Sequence, residues 1–249
     1  ALIGGLTQKC CAPSDIALYE KDAQKAAAFK EMGINTVESA SAAEAASEII
    51  VFSVKPNIID SVLSEMSGDK NKIYLSIAAG VTVAHLEEML GADKKIVRAM
   101  PNTPAQVGCG MTVISPNKNV DDEDIKKVKM LLSAVGMVQQ MDEKFMSVAT
   151  ALHGSSPAYV YMFIDAMADA GVKYGLTKQQ ALTLAAQAVA GSAEMVLACG
   201  EHPEKLKDNV CSPGGTTIAA VCDLEKNGFR GIVQSAVCAC VDKADEMSK

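Results

Sequence analysis

The sequence predicts a doubly wound α/β domain built on a mostly parallel sheet, followed by an all-helical domain. Three observations predict it. Short apolar runs alternate with helical spacing through the first half, strand-like runs vanish from about Phe145, and long alanine-rich segments take their place. The candidate strands span 16–19, 49–54, 73–77, 96–99 and 111–114. Between them, 22–32 sets Ala26, Phe29 and Lys30 on neighbouring turns, 81–90 follows a Thr82 cap, and 121–134 opens with acids suited to the positive end of a helix. Residues 1–143 are assigned to the sheet domain and 144–249 to the helical one.

In the helical half, Pro157 sits where a first-turn proline is tolerated behind Ser155 and Ser156, and Gly175 offers a C-terminal stop. Thr177 and Gln180 have capping-box spacing, and further helices are expected at 203–210, 217–226 and 231–247. Residues 181–199 are apolar or small on nearly every face, so that helix must be enclosed by others. One copy of this half has too few partners to do so. The expectation is a homodimer, or a higher homo-oligomer, with its interface on the helical domain.

Almost half of the 249 residues are apolar and 21% are charged, with both signs interspersed, which is the balance of a folded chain rather than a disordered one. A net charge of -7, few aromatics and no tryptophan argue against nucleic-acid partners and leave small molecules as the expected ligands. The longest apolar runs, such as 49–54, are too short for a bilayer, and no charged segment leads into a signal-like region. No membrane association and a cytoplasmic location are therefore expected. Eight cysteines include the neighbours Cys10 and Cys11 and the spaced pair Cys238 and Cys240, with no C-x-x-C and only three histidines. They are read as reduced thiols, mostly small core-filling side chains, with no metal site.

Four segments could carry chemistry. Ser212-Pro213-Gly214-Gly215-Thr216-Thr217 has glycines that admit a ligand close to backbone N–H groups and threonines where a helix begins, which suits an anion, although the segment standing alone reads more readily as a capped interhelical loop. Arg98 to Pro104 follows a candidate strand at the carboxyl edge of the sheet, where such sheets bind ligands. There Asn102 could meet an amide such as nicotinamide, or the segment could be a rigid turn. Ser53-Val54-Lys55-Pro56 ends another strand, so that Lys55 could reach a cofactor phosphate or hold a loop. Ser76 to Gly80, with Ala78 and Ala79, is small enough to admit a flat ring.

Taken in order, Lys55-Pro56, the Ala-Ala-Gly run ending at Gly80, Met-Pro-Asn-Thr-Pro from Met100, the loop from Gly154 to Tyr159, and Ser-Pro-Gly-Gly-Thr-Thr from Ser212 resemble the Δ1-pyrroline-5-carboxylate reductase family over essentially the whole chain. Lys207-Asp208-Asn209-Val210, just before the last loop, is also similar to the family. The resemblance implies a Rossmann-like, NAD(P)H-binding domain and reduction of Δ1-pyrroline-5-carboxylate to L-proline, the last step of proline biosynthesis. Asn209, Ser212 and the backbone around Gly214, Gly215 and Thr216 would then hold the substrate, and Thr217 would act near the ring nitrogen. The glycine-threonine turn would fold over the open edge of the sheet.

Glu20, just beyond a strand, stands where an acid accepts from the ribose hydroxyls of NADH, while Lys21 could attract the extra phosphate of NADPH; family habit favours NADPH and the local chemistry permits NADH. The chain departs from the family's Ser-Gly-Ser-Gly-Pro-Ala loop by having His153 and Ser156, though Ser155 remains. His153 is read either as a pH tuner or as a structural histidine, and Glu201 as either a secondary acid or a solvated helix end. In the family, Ala1 to Leu6 belongs to the first helix, directly after a strand and a G-x-G-x-x-[GA] turn, and these are expected ahead of Ala1. Two other readings remain: a related imine or β-hydroxyacid dehydrogenase, whose catalytic lysine is not found beside Gly154 to Tyr159, and a non-catalytic dimerising subunit.

Overall fold

The computed structural model describes residues 1–247. It contains two compact units, Ala1–Ser155 with the end of the last helix from Val241, and Ser156–Cys240. The first unit runs α1 (Leu2–Lys9), β1 (Ala17–Leu18), α2 (Ala23–Glu31), β2 (Asn35–Thr36), α3 (Ala40–Ala46), β3 (Ile49–Phe52), α4 (Ile59–Leu63), β4 (Ile73–Ser76), α5 (Val83–Leu90), β5 (Lys95–Met100), β6 (Gly110–Pro116), α6 (Asp122–Leu132), β7 (Gly136–Gln140) and α7 (Met146–Ala149). β1 and β2 pair in parallel by themselves, and β3 to β7 form a five-stranded sheet in sequence order, parallel except between β5 and β6.

Alternation along each strand sends side chains to two faces, and both faces are covered. On one, Ile50, Phe52, Tyr74 and Ile96 pack with Ile59, Leu63, Leu86 and Leu90 from α4 and α5. On the other, Ile73, Leu75, Val97, Ala99 and Ile114 pack with Val128 and Leu132 of α6. The doubly wound architecture is as the sequence predicts. The caps are also as expected: Thr82 Oγ1 accepts from the His85 N–H at 3.2 Å, and Asp121 Oδ1 accepts from those of Glu123 and Asp124 at 2.9 Å.

The sequence reading missed β2, β7 and the antiparallel step. β2 is two residues long, and β7 carries Gln139 and Gln140 at the sheet's edge, so neither writes an apolar run. Gly136 opens β7 at φ +151, and a Cβ there would collide with the Gly110 backbone, which explains a glycine at this crossing of strands. Met146 and Ala149 are buried with Val113, so residues 144–155 fall on the sheet side of the contact division, although the sequence reading gave them to the helical domain.

The second unit holds α8 (Ser156–Lys173), α9 (Lys178–Cys199), α10 (Pro203–Val210), α11 (Thr216–Lys226) and most of α12 (Phe229–Met247). Gly175 adopts φ +98 after α8, and Thr177 and Gln180 form the expected capping box. Two expectations need correction. None of the eight cysteines is buried in this chain; Cys199, Cys211, Cys222, Cys238 and Cys240 lie in the helical unit, most of whose surface one copy leaves open. By length and composition α9 could cross a membrane, contrary to the view that no segment is long enough. Its apolarity comes from alanines spread evenly among Leu, Val and Met, not from a dense run, which is why scanning for runs overlooked it.

Candidate active site

β3, β4 and β5 run parallel in register, Phe52 beside Ser76 and Ser76 beside Arg98, so their carboxyl ends share one edge. Beside that edge lies a cleft of about 430 Å³ lined by, among others, Leu2, Ser53, Ile77, Met100, Asn102 and Gly154. Ala1, just ahead of the first turn of α1, lines it together with Leu2 in that turn. Ala78 is buried, with its N–H donated to Ser76 Oγ at 3.3 Å, and Ala79 beside it is exposed.

Of the residues expected around this edge, Ser53 and Asn102 line the cleft directly. Val54 packs on the core beneath it, while Lys55 is exposed in the extended position before a short 3-10 turn that starts at Pro56. Asn102 departs from its expected role. Its Nδ2 donates to His153 O at 3.0 Å and its Oδ1 accepts from the Met111 N–H at 2.9 Å, so its amide braces the loop instead of being held open for a ligand's amide. Glu20 is also partly engaged, since its Oε1 accepts from the Asp22 N–H at 3.0 Å at the start of α2. Lys21 beside it is exposed.

In the helical unit, Ser212 is exposed and Gly214 adopts φ +66, a turn a side chain would strain. The Gly215 N–H is taken up by Ser212 O at 3.0 Å, and a Cβ on Gly215 would run into Ser212 itself. Of the backbone donors expected around Gly214 to Thr216, that of Gly215 is therefore already spent. Gly215 is also the N-cap of α11 and brings no side-chain cap, which leaves the first-turn N–H groups of Thr216 and Thr217 without intrahelical partners.

Thr216 is exposed and Thr217 half-buried, and Asn209 is exposed in the last turn of α10. Neighbouring charges hold this region together: Glu204 pairs with Lys207 and with Arg230, both at 2.8 Å, and Arg230 also reaches Glu225. The Lys207 ammonium, then the Arg230 guanidinium, draw the Glu204 carboxyl down to about 2. Glu201 is exposed one residue before His202, whose Nδ1 accepts the Glu204 N–H and caps α10. Tyr159 hydrogen-bonds Cys240, which raises its pKa.

Two family models match the chain: one described as pyrroline-5-carboxylate reductase dimerisation over residues 143–247, and one described as NADP oxidoreductase, coenzyme F420-dependent, over residues 1–80. The pyrroline-5-carboxylate reductase of Escherichia coli is 47% identical over 253 residues, covering 100% of this chain and 94% of the relative. The chain belongs to the pyrroline-5-carboxylate reductase family. A solved pyrroline-5-carboxylate reductase from Coxiella burnetii superposes with a TM-score of 0.94 at 34% identity, covering 100% of this chain and 94% of that one. That of Plasmodium falciparum, with NADP bound, has a TM-score of 0.87 at 37% identity and covers 100% and 93%.

Family membership bears out the activity expected from the sequence: an NAD(P)H-dependent oxidoreductase acting at the last step of proline biosynthesis. The residues present also fit the cofactor. An apolar wall and the small side chains of Ala78 and Ala79 stand together at the carboxyl edge of the sheet, where a dinucleotide finds room for a ring. His153 went unread as part of this edge. Its signal was the departure from the family loop, which sequence alone could not connect to Met100 and Asn102.

Proposed function

We propose that the chain reduces Δ1-pyrroline-5-carboxylate with its 212–217 turn as the substrate-carboxylate site and Thr217 as the catalytic hydroxyl. The observation that carries this reading is the uncapped start of α11, where Thr216 and Thr217 offer N–H groups beside the Ser212 hydroxyl. A carboxylate there gains charge-assisted hydrogen bonds and the favourable end of the helix dipole. Ser212, Gly214 and Thr216 would hold it, with Gly215 shaping the turn and Asn209 at its margin.

When bound, reduced nicotinamide supplies the hydride for the imine carbon. As the C=N bond becomes a C–N single bond, the ring nitrogen takes up a proton. Thr217 Oγ1 hydrogen-bonds that nitrogen and passes or positions the proton, which water replaces, so no side chain changes its net charge over a turnover. Ser53, Lys55, Pro56, Ala78, Ala79 and Asn102 are assigned to the cofactor edge, with Val54 behind it, and Glu20 and Lys21 to the adenosine end. Thr217→Val removes the hydroxyl at nearly constant shape and is expected to lower kcat by about tenfold to a hundredfold, while Thr217→Ser keeps most of it. Unchanged turnover in both variants would refute the hydroxyl's role.

We also infer a homodimer built on the helical unit, at work in the cytoplasm. Within one copy, α9 buries only Ala181 and Ala185 and α8 only Ala168, while Met162, Leu184 and Leu197 stay exposed. A second copy covering these faces explains why a helix apolar all round occurs in this family's dimerisation domain.

A further inference from the structure

His153 has no task in the reaction as described, yet its ring is more fully engaged than that of any other histidine in the chain. It lies in a single π turn, Thr150–Gly154, closed by the Ser155 N–H donating to Thr150 O at 2.9 Å. Such turns are rare, and they cost local helix regularity. This one swings the imidazole towards the end of β5. Nε2 lies 2.8 Å from Met100 O and Nδ1 lies 2.5 Å from Ala149 O. Carbonyl oxygens only accept, so the neutral ring donates its single N–H to one of these oxygens, in the Nε2–H tautomer to Met100 O, and the protonated ring donates to both.

The same residue receives as well. His153 O accepts from Asn102 Nδ2, and Asn102 Oδ1 accepts from the Met111 N–H. Two strand ends, β5 and β6, and the helical turn are thereby tied at one point. Met100, Asn102 and Gly154 line the cleft at the carboxyl edge, and the space over Gly154 is so close that an added Cβ would stand 3.3 Å from Met100 Cε.

We propose that His153 is a positioning residue for the cofactor: its ring fixes the Met100–Asn102 wall of the cleft in the shape that the dinucleotide meets. This rests on the assignment of the carboxyl edge to NAD(P)H. A serine, as in the family's usual loop, ends one atom beyond Cβ and cannot span to Met100 O as the imidazole does. Because this tie acts on the cofactor wall, its loss changes cofactor affinity and leaves the response to pyrroline-5-carboxylate at saturating cofactor nearly unchanged.

The test compares the intact wild-type protein with His153→Leu, His153→Ser and His153→Gln, measuring NADPH and NADH Kd by fluorescence titration, KM for both substrates, and the melting midpoint. Leu and Ser remove the donor to Met100 O and are expected to weaken cofactor binding on the order of tenfold, the factor that one hydrogen bond's worth of free energy gives. Gln keeps N–H donors and is expected to recover most of that loss. Asn119→Ala serves as the stability control, since Asn119 Nδ2 makes a comparable pair of ties, to Ala92 O and Lys94 O, at the opposite end of β5. It is expected to lower the midpoint without moving the cofactor Kd.

A cofactor Kd unchanged in both Leu and Ser, or one that rises equally in Asn119→Ala at a matched fall in the midpoint, would overturn the proposal. Should Leu not fold, Ser alone decides. A wild-type protein that turns over the imine while protection mapping puts the dinucleotide away from Met100 and Asn102 would instead refute the cofactor-edge assignment, and the proposal with it.

Discussion

Replacing Glu44 with glutamine tests how the sheet unit is held at the edge opposite its cofactor cleft. Glu44 of α3 is 2% exposed, and its carboxylate takes four hydrogen bonds: from Tyr74 Oη at 2.6 Å and the Gly68 N–H at 3.0 Å on Oε1, and from the Ser67 N–H at 2.8 Å and Ser67 Oγ at 3.1 Å on Oε2. Glutamine keeps one acceptor oxygen and turns an NH2 towards donors. The Ser67 hydroxyl can rotate to accept, but a backbone N–H cannot. One buried donor is then orphaned at about 1–3 kcal/mol, and the remaining bonds lose their charge assistance. Together these come to about 3 kcal/mol, or roughly 6–12 °C in the melting midpoint of a unit this size.

The pH dependence follows from the same geometry. Burial pushes the Glu44 carboxyl up, but the hydrogen bonds from Tyr74, Ser67 and Gly68 outweigh it and hold the carboxyl below its ordinary value. A carboxyl depressed in the folded state contributes stability that is fully present above its unfolded pKa and is lost as pH falls through the folded one. The gap between wild type and Glu44→Gln, followed by circular dichroism, is therefore expected to be constant at neutral pH and to close below the ordinary glutamate range of about 4.3. A gap under about 2 °C at neutral pH, or one that persists unchanged into strong acid, would refute the account.

Lys21→Glu is expected to lower the kcat/KM ratio of NADPH to NADH by about tenfold, because Lys21 is exposed while Glu20 is partly occupied at the start of α2; an unmoved ratio would place the cofactor's adenosine end elsewhere. Leu184→Glu puts a charge on the open face of α9 and is expected to shift the protein from dimer to monomer in light scattering. A dimer of unchanged stability would mean that another face carries the interface.

The sheet unit was legible because its strands are apolar on both faces: Ile73 and Leu75 serve one layer, Tyr74 the other, and such a run needs no alternation to be noticed. What escaped had no apolar run to write. β7 ends in two glutamines at an edge, and β2 is a two-residue pair. The site was legible as segments, since glycines and prolines mark turns wherever they occur, but the partners of each side chain were not. Asn102 illustrates the difference. Its position at the end of a strand identified it, whereas its two hydrogen bonds depend on Met111 and on His153, 51 residues away, and no local spacing encodes a contact of that range.

That distinction bears on which residues can be replaced in this site. Gly214 and Gly215 are fixed by backbone shape, one through a positive φ and the other through the absence of room for a Cβ, so their contribution is conformational whatever the ligand. Thr217 is free of both constraints. In the first turn of an uncapped helix its side chain is not needed to close the N-terminus, and valine or serine can adopt the same backbone at little cost. A large fall in kcat on losing only its hydroxyl would therefore report chemistry and not folding, which makes Thr217, rather than either glycine, the position where the catalytic assignment can be decided.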